Sequence, residues 1–243
     1  MENKVLFLVF LFCAPALSAP TLDLTTEDSS GYINEAYFVQ VDPQPTGTGY
    51  ISSFVRISSN QEVEQGYNTD ARPLKFDENS SPEFTRSLKL SDVPVVNFGI
   101  DYRQFLLDIN QTGTNPHISL DALEIYLGSS GAVTGYSESP SNLGTLIYDL
   151  DAGSDNWILL DYSLNSGSGS GDMFAYIPDS LFVGGEYVTL YSMFGVNAAN
   201  NDGYEEWAVT GEQSVIPAPG AILLCGIGVS IIGLFRRTRT LLR

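Results

Sequence analysis

The sequence has 243 residues, a net charge of −18 and two cysteines, Cys13 and Cys225. Both cysteines lie in apolar stretches near the ends of the chain, so we expect no disulfide in the region between them. This length allows one or two domains of ordinary size. The acidic charge argues against a nucleic-acid partner, because neutralising phosphates requires Lys and Arg.

Residues 1–18 predict a secretory signal peptide. Lys4 precedes an apolar run over residues 5–13, and small residues stand just before Ala19. The run is shorter than the roughly 20 apolar residues that span a bilayer, and its position before small residues is typical of a signal peptide. We therefore expect export of the chain, with cleavage between Ser18 and Ala19.

Residues 19–214 are predicted to form the exported body, a single domain that carries most of the negative charge. Glu2 and Lys4 cancel, so removing the four positive charges of the C-terminal arginines changes −18 to −22 for the body. Residues 104–216 contain fifteen Asp and Glu but no Lys or Arg. Divalent cations, or solubility in a salty medium, suit such a surface.

Short segments rich in β-branched and aromatic residues alternate with clusters of Gly, Pro, Asn, Asp and Ser across the body. The predicted strands are residues 32–41, 50–58, 84–90, 95–110, 118–127, 143–150, 157–164, 173–177, 187–194 and 206–209. Apolar residues in several of them fall two apart, as one buried sheet face requires. We predict an all-β fold, an antiparallel β-sandwich of the jelly-roll kind.

Four polar or turn-rich segments are predicted to lie outside the strands. Residues 19–30 are expected to be a loose leader, and residues 61–81 a long surface loop. The Gly-Ser run at 167–171 predicts a flexible hairpin loop. Residues 178–182 predict one helical turn.

Asp149, Asp151 and Asp155 flank Gly153 and are predicted to form a calcium site. Calcium takes about six to eight oxygen ligands, and a loop of this kind can wrap carboxylates and carbonyls around one ion. The spacing is not that of an EF-hand. Further ligands are available if the loops converge: Asp172, Asn201, Asp202, Glu205 and Glu206. The alternative is that these residues shape the turns between strands.

No residue is predicted to be catalytic. His117 is the single histidine, so no Ser-His-Asp arrangement with a spare histidine and no His-rich zinc site is expected. A carboxylate pair for glycan hydrolysis remains open, but nothing in the pattern selects two residues. Trp157 and Trp207 lie in predicted strands, where tryptophan is more often core than ligand-binding.

The C-terminal segment predicts a membrane-spanning helix. Residues 216–235 are apolar, and as a helix they would reach about 30 Å, the thickness of the hydrocarbon core. Arg236, Arg237 and Arg239 follow, and such residues favour the cytoplasmic side, which leaves the body outside. A permanent anchor is one interpretation of this segment.

The order of these elements resembles the PEP-CTERM sorting signal of Gram-negative bacterial surface proteins. The short proline element is Ile216-Pro217-Ala218-Pro219-Gly220, in which Ala218 stands where the family usually has Glu. The resemblance implies delivery to the inner membrane, recognition by an exosortase-type membrane protease, and a setting in an exopolysaccharide or biofilm matrix. Residues 215–243 are therefore predicted to be a sorting signal.

Residues 105–209 also resemble a recurrent β-rich ectodomain found beside such tails. The resemblance rests on stretches such as residues 105–111, 150–157 and 201–207, and it implies no catalytic residue. We expect a non-enzymatic cell-surface or matrix protein with a structural or adhesive role. Two alternatives stay open: a calcium-dependent carbohydrate-binding module and a glycan-acting enzyme.

Overall fold

A computed structural model describes residues 19–41, 51–137, 142–167, 169 and 171–209. Within these residues the fold is all-β, with fourteen strands and three short 3-10 turns. The strands are β1 (Leu22–Asp23), β2 (Ser30–Ile33), β3 (Ala36–Gln40), β4 (Ser53–Ile57), β5 (Glu64–Tyr67), β6 (Leu88–Lys89), β7 (Val95–Asn97), β8 (Asp101–Asp108), β9 (His117–Gly128), β10 (Thr145–Asp149), β11 (Ile158–Asp161), β12 (Met173–Pro178), β13 (Tyr187–Phe194) and β14 (Glu205–Ala208). The 3-10 turns are Leu90–Asp92, Tyr162–Leu164 and Asp179–Leu181.

Seven strands form sheet A, in the order β1-β11-β9-β13-β5, with β10 also beside β9 and β6 also beside β13. The pair β1 and β11 is parallel, and the other described pairs of this sheet are antiparallel. The long strand β9 is central, because β13 pairs along one of its edges while β10 and β11 share the other.

The other seven strands form sheet B, in the order β2-β3-β12-β8-β14-β4, with β7 also beside β8. Its described pairs are antiparallel. Strand β8 occupies the middle of this sheet, with β12 along one edge and both β7 and β14 along the other.

The two sheets face each other across one hydrophobic cluster. Ile125 of β9 and Phe105 of β8 both belong to it and are fully buried. Successive residues of a strand point to opposite faces, so Leu107 joins this cluster while Leu106 packs in a separate cluster on the other face of sheet B. We call the face that bears Leu106 the outer face of sheet B.

The predicted strand at residues 32–41 is two strands in the structure. In the β2–β3 hairpin Ile33 pairs with Ala36, which leaves a turn of two residues, Asn34 and Glu35. Both have positive φ, 48° and 69°, the left-handed conformation that two-residue hairpin turns of type I′ require. Asn is common there but Glu is not, so the sequence pattern did not indicate the turn.

The strand predicted at residues 95–110 is likewise two strands, β7 and β8, which pair with each other. Two predictions of loops are also wrong in part. The segment 61–81 is not wholly a loop, since β5 lies within it and pairs with β13. The leader 19–30 is not loose throughout, since β1 pairs with β11. Both strands are short, and β5 has the polar sequence Glu-Gln-Gly-Tyr, so neither has the apolar alternation that identifies a strand. The helical turn at 178–182 is confirmed as the 3-10 turn Asp179–Leu181.

Candidate functional site

The loop after β10 carries the three aspartates predicted to bind calcium. Asp149 Oδ1 accepts a hydrogen bond from the Asp151 N–H at 2.9 Å, and Asp151 Oδ1 accepts one from the Asn156 N–H at 2.8 Å. Burial raises the pKa of Asp151, and the charges of Asp149 and Asp155 act in the same direction. Two of the three carboxylates therefore stabilise the turn itself, which agrees with the alternative interpretation.

Among the described residues, no group of three or more His, Cys, Asp or Glu side chains is arranged to hold a metal ion. Calcium binding by Asp149, Asp151 and Asp155 therefore stays a prediction. Three of the additional candidates accept hydrogen bonds within the protein: Asp172 from the Ile109 N–H, Glu205 from Gln111 through one oxygen, and Glu206 from Arg56.

A cluster of buried acids lies on the outer face of sheet B, centred on Asp108 and Asp172. Asp108 ends β8, and Asp172 immediately precedes β12. They are only 2% and 3% exposed. The Asp172 N–H donates to the Leu107 carbonyl at 2.8 Å, and this backbone contact holds the two side chains together. Their carboxyl groups are hydrogen-bonded to each other.

Backbone N–H groups surround this carboxyl pair. Gly169 and Gly171 donate to Asp108 at 2.9 and 3.3 Å, and Ile109 donates to Asp172 Oδ2 at 2.8 Å. Gly171 has a φ of 71°, and a Cβ there would lie 2.7 Å from Leu106 Cδ1. Glycine is therefore required at this position, and the end of the predicted flexible loop is anchored to the sheet.

Of the two carboxyl groups, Asp172 has its pKa raised further. Burial raises its pKa well above the usual value, and the charge of Asp108 adds to the effect. Burial also raises the pKa of Asp108, to about 6, with a further contribution from the charge of Glu206. A proton on Asp172 Oδ1 explains why this buried atom accepts no hydrogen bond, since it donates to Asp108 instead.

Arg56 is linked to the acid cluster through Glu206. Its Nε donates to Glu206 Oε1 at 2.7 Å, and Glu206 is 1% exposed. The guanidinium carbon lies 3.6 Å from the centre of the Phe84 ring and 4.2 Å from that of Tyr204. These aromatic contacts favour a fixed cation, and Arg56 neutralises one of the three neighbouring acids.

Aromatic rings continue along the same face and form what we call the outer strip: Tyr32, Tyr37, Phe98, Tyr102 and Tyr176. Tyr37 stacks on Tyr176 with ring centres 6.0 Å apart, and Phe98 meets Tyr176 edge-on at 5.0 Å. Tyr32 lies against Tyr37 at 4.8 Å and is 67% exposed. Rings with an apolar face and a polar hydroxyl suit ligands of mixed polarity.

A second aromatic cluster covers part of the outer face of sheet A. The hydroxyls of Tyr126 and Tyr136 both donate to Glu124, and the Tyr136 ring stacks on Tyr191 at 3.9 Å. Burial raises the pKa of both Tyr126 and Tyr136. The Glu124 carboxylate is thus satisfied by hydroxyl donors within the protein.

The predicted processing residues lie outside the described residues. These are Ser18 on the N-terminal side and Pro217, Ala218, Pro219, Gly220, Arg236, Arg237 and Arg239 on the C-terminal side. Ala19 is described and exposed. In the part of the chain that the structure describes, no helix has both the length and the apolar character needed to cross a membrane.

Comparisons with protein-family models, curated proteins and solved structures found no match for this chain. The candidate functional sites therefore rest on the positions and contacts of the residues themselves. Sequence analysis missed the Asp108–Asp172 pair, because its members are 64 residues apart and only the pairing of β8 with β12 brings them together. The one available signal was Asp172 directly after a glycine-rich run.

Proposed function

We propose that this chain is an exported surface protein whose body has a non-enzymatic, structural or adhesive role. The observation that carries the proposal is the order of elements in residues 215–243: a proline element, an apolar segment and an arginine cluster. An all-β body between this segment and the predicted signal peptide suits the role. The expected partners are the inner membrane, an exosortase-type protease and exopolysaccharide, in a Gram-negative bacterium.

The chemistry of the tail supports delivery to a membrane. An apolar helix over residues 216–235 matches a hydrocarbon core of about 30 Å. The arginines hold its end on the cytoplasmic side. Pro217 and Pro219 disfavour helix in the residues that precede them, so the sequence predicts that the helix starts after this element and that a protease can reach Ile216 and Ala218.

The finer fold assignment belongs to the same proposal. Consecutive strands cross from one sheet to the other along β8, β9, then β11, β12, β13 and β14. Alternation between two antiparallel-rich sheets is what a jelly-roll sandwich requires. We therefore infer a jelly-roll-like ectodomain followed by one C-terminal transmembrane helix.

The proposal is tested by removing the arginine cluster. Replacing Arg236, Arg237 and Arg239 together with Gln removes the charges that orient the helix, whereas R243Q removes one tail arginine outside the cluster. In cells with a working exosortase, we expect the triple variant to lose most C-terminal processing and R243Q to retain it. Normal processing of the triple variant would contradict the proposal.

Saccharide binding is a second candidate, favoured by the exposed rings of the outer strip. Tyr32 and Phe98 are 67% and 39% exposed, and each packs against another ring of the strip. We expect Y32A to weaken binding to matrix polysaccharide at least fivefold and Y187A, on sheet A, to leave it unchanged. Equal binding by wild type and Y32A would remove this candidate. Repeating the assay with and without Ca²⁺ tests whether binding depends on calcium.

Glycan hydrolysis is the third candidate, and the acid pair does not favour it. Glycosidase carboxyls stand about 5 to 9.5 Å apart to accommodate the sugar or a water. The carboxyls of Asp108 and Asp172 are in direct hydrogen-bonding contact, so as a pair they lack that separation.

A further inference from the structure

Two glutamates, Glu64 and Glu205, point into the space between the two sheets. Glu64 begins β5 and pairs with Phe194 of β13, and Glu205 begins β14 and pairs with Ile57 of β4. Phe194 and Ile57 belong to the hydrophobic cluster between the sheets. Directly paired residues point to the same face of a sheet, so both carboxylates enter this layer, one from each sheet. Neither is exposed to solvent at all, with 0% for each.

Side-chain amides join the two carboxylates. Gln111 Nε2 donates to Glu205 Oε1 at 2.7 Å and to Asn200 Oδ1 at 3.1 Å. Asn200 Nδ2 donates to Glu64 Oε2 at 3.1 Å. A chain of hydrogen bonds therefore runs from one sheet to the other and places Glu64 and Glu205 in one polar cluster.

In each of the two carboxylates, one oxygen accepts no hydrogen bond from this network. Glu64 Oε1 and Glu205 Oε2 are fully buried and have no hydrogen-bond partner. In the part of the chain that the structure describes, both carboxylates contact side-chain amides and a backbone N–H, not Lys or Arg. A buried carboxylate without a cation is costly, so a further ligand is needed at these two atoms.

Neutral oxygens lie in the same place. The backbone carbonyls of Ser59 and Gln61 are each 3.2 Å from Asn200 Nδ2, the nitrogen that also contacts Glu64. Three oxygens, these two carbonyls and Glu64 Oε2, thus surround Asn200 Nδ2. Gly195 allows the loop bearing Asn200 to approach residues 59–62, because a Cβ there would lie 1.9 Å from the Glu62 carbonyl oxygen. Rotation of the Asn200 amide would exchange this nitrogen for the Asn200 oxygen and bring four oxygens together.

We propose that Glu64 and Glu205 are carboxylate ligands of a calcium ion held between the two sheets. The Ser59 and Gln61 carbonyls supply neutral oxygens, a mixture of carboxylate and carbonyl donors that Ca²⁺ accepts. Two carboxylates match the two charges of the ion, and the bound ion ties β5 of sheet A to β14 of sheet B. This site is separate from the loop of Asp149, Asp151 and Asp155.

A proton shared between Glu64 and Glu205 explains their arrangement less well than a calcium ion does. At Asp108 and Asp172 the carboxyls are hydrogen-bonded to each other. No hydrogen bond between Glu64 and Glu205 occurs among the described residues, and each retains its own unpartnered oxygen.

The test uses the full-length protein stripped with a chelator and then supplied with Ca²⁺ or Mg²⁺. A ligand at a hundredfold excess over its Kd should raise the melting temperature of a protein of this size by roughly 5–10 °C. We expect that shift with Ca²⁺, with little or none from Mg²⁺, and one calcium per chain by elemental analysis. E64Q and E205Q should lose the shift, whereas E62Q, at the exposed neighbouring position, should keep it.

The variant N200D tests the same proposal even if E64Q or E205Q fails to fold. A third carboxylate should destabilise the stripped protein and enlarge the stabilisation by Ca²⁺. An unchanged wild-type melting temperature in Ca²⁺ would overturn the proposal. So would a full calcium response in E64Q, or a response lost instead in D149N or D155N.

Discussion

Asp108 and Asp172 form a hydrogen-bonded carboxyl pair on the outer face of sheet B, and burial raises the pKa of Asp172 further than that of Asp108, which makes Asp172 the expected holder of the proton. Asn carries both a donor and an acceptor, so in D172N the amide can donate to Asp108 and still accept from the Ile109 N–H. We expect D172N to lie within about 1 kcal/mol of wild type in urea unfolding, because no buried group is left unpaired.

D108N should behave differently. Asp108 accepts from Gly169 and Gly171 as well as from Asp172, and an amide nitrogen in place of one oxygen faces a donor. We expect D108N to cost about 1–3 kcal/mol, the usual penalty for a buried polar group that loses its partner. Equal effects of the two substitutions would mean that the proton is assigned to the wrong residue.

The same pair predicts a pH dependence of stability. The folded pKa of Asp108 is about 6, above the ordinary 3.8, so the folded chain binds this proton more tightly than the unfolded chain does. The stabilisation is therefore complete below about pH 4 and is lost as pH rises through 6, by roughly 3 kcal/mol in total.

The contribution is isolated by comparing wild type with D108N at each pH, since other acids titrate in the same range and Glu206 acts on this one. Between pH 4 and 7 the unfolding free energy of wild type should fall relative to that of D108N. An identical pH profile for the two proteins would exclude a raised pKa at Asp108.

The Arg56–Glu206 ion pair should contribute more to stability than the Arg103–Asp179 pair. The Glu206 side chain is 2% exposed, against 33% for Asp179. R56A leaves a buried carboxylate without its cation, which we expect to cost about 3 kcal/mol. R103A removes a more solvated pair and should cost about 1 kcal/mol or less. Urea unfolding of the two variants measures both, and a larger effect from R103A would contradict the ranking.

Substitutions of the aspartates in the loop after β10 distinguish a role in stabilising the turn from a role in binding calcium. If Asp149 holds the turn through the Asp151 N–H, D149A should cost about 1 kcal/mol, the typical worth of one hydrogen bond. D155A, at an exposed position, should stay within about 0.5 kcal/mol of wild type. Both variants should respond to Ca²⁺ as wild type does. Loss of that response in both would place the ion in this loop instead.

The all-β fold could be predicted because its central strands show their pattern locally. In β8 the buried residues of the inter-sheet layer, Phe105 and Leu107, stand two apart, and β12 and β13 are rich in aromatic and apolar residues. The strands that the sequence missed are those stabilised by their neighbours. Glu64–Tyr67 has little strand propensity and becomes a strand because it pairs with Phe194 and the residues before it.

The buried acids could not be predicted for a similar reason. Glu64 and Glu205 are 141 residues apart in sequence, and a polar residue in a polar segment predicts exposure, yet both lie between the sheets. Their placement is decided by strand register and by the amides of Gln111 and Asn200. A local pattern does not contain this information. The Asp149 loop was identified because its three carboxylates are close in sequence.

The central claim is that the chain is exported and its C-terminal segment processed. The most direct measurement is mass spectrometry of both termini of the mature protein, isolated from cells with a working exosortase. We predict a first residue of Ala19 and a last residue at or near Ile216 to Gly220. Mature protein that retains Met1 or ends at an intact Arg243 would contradict the claim.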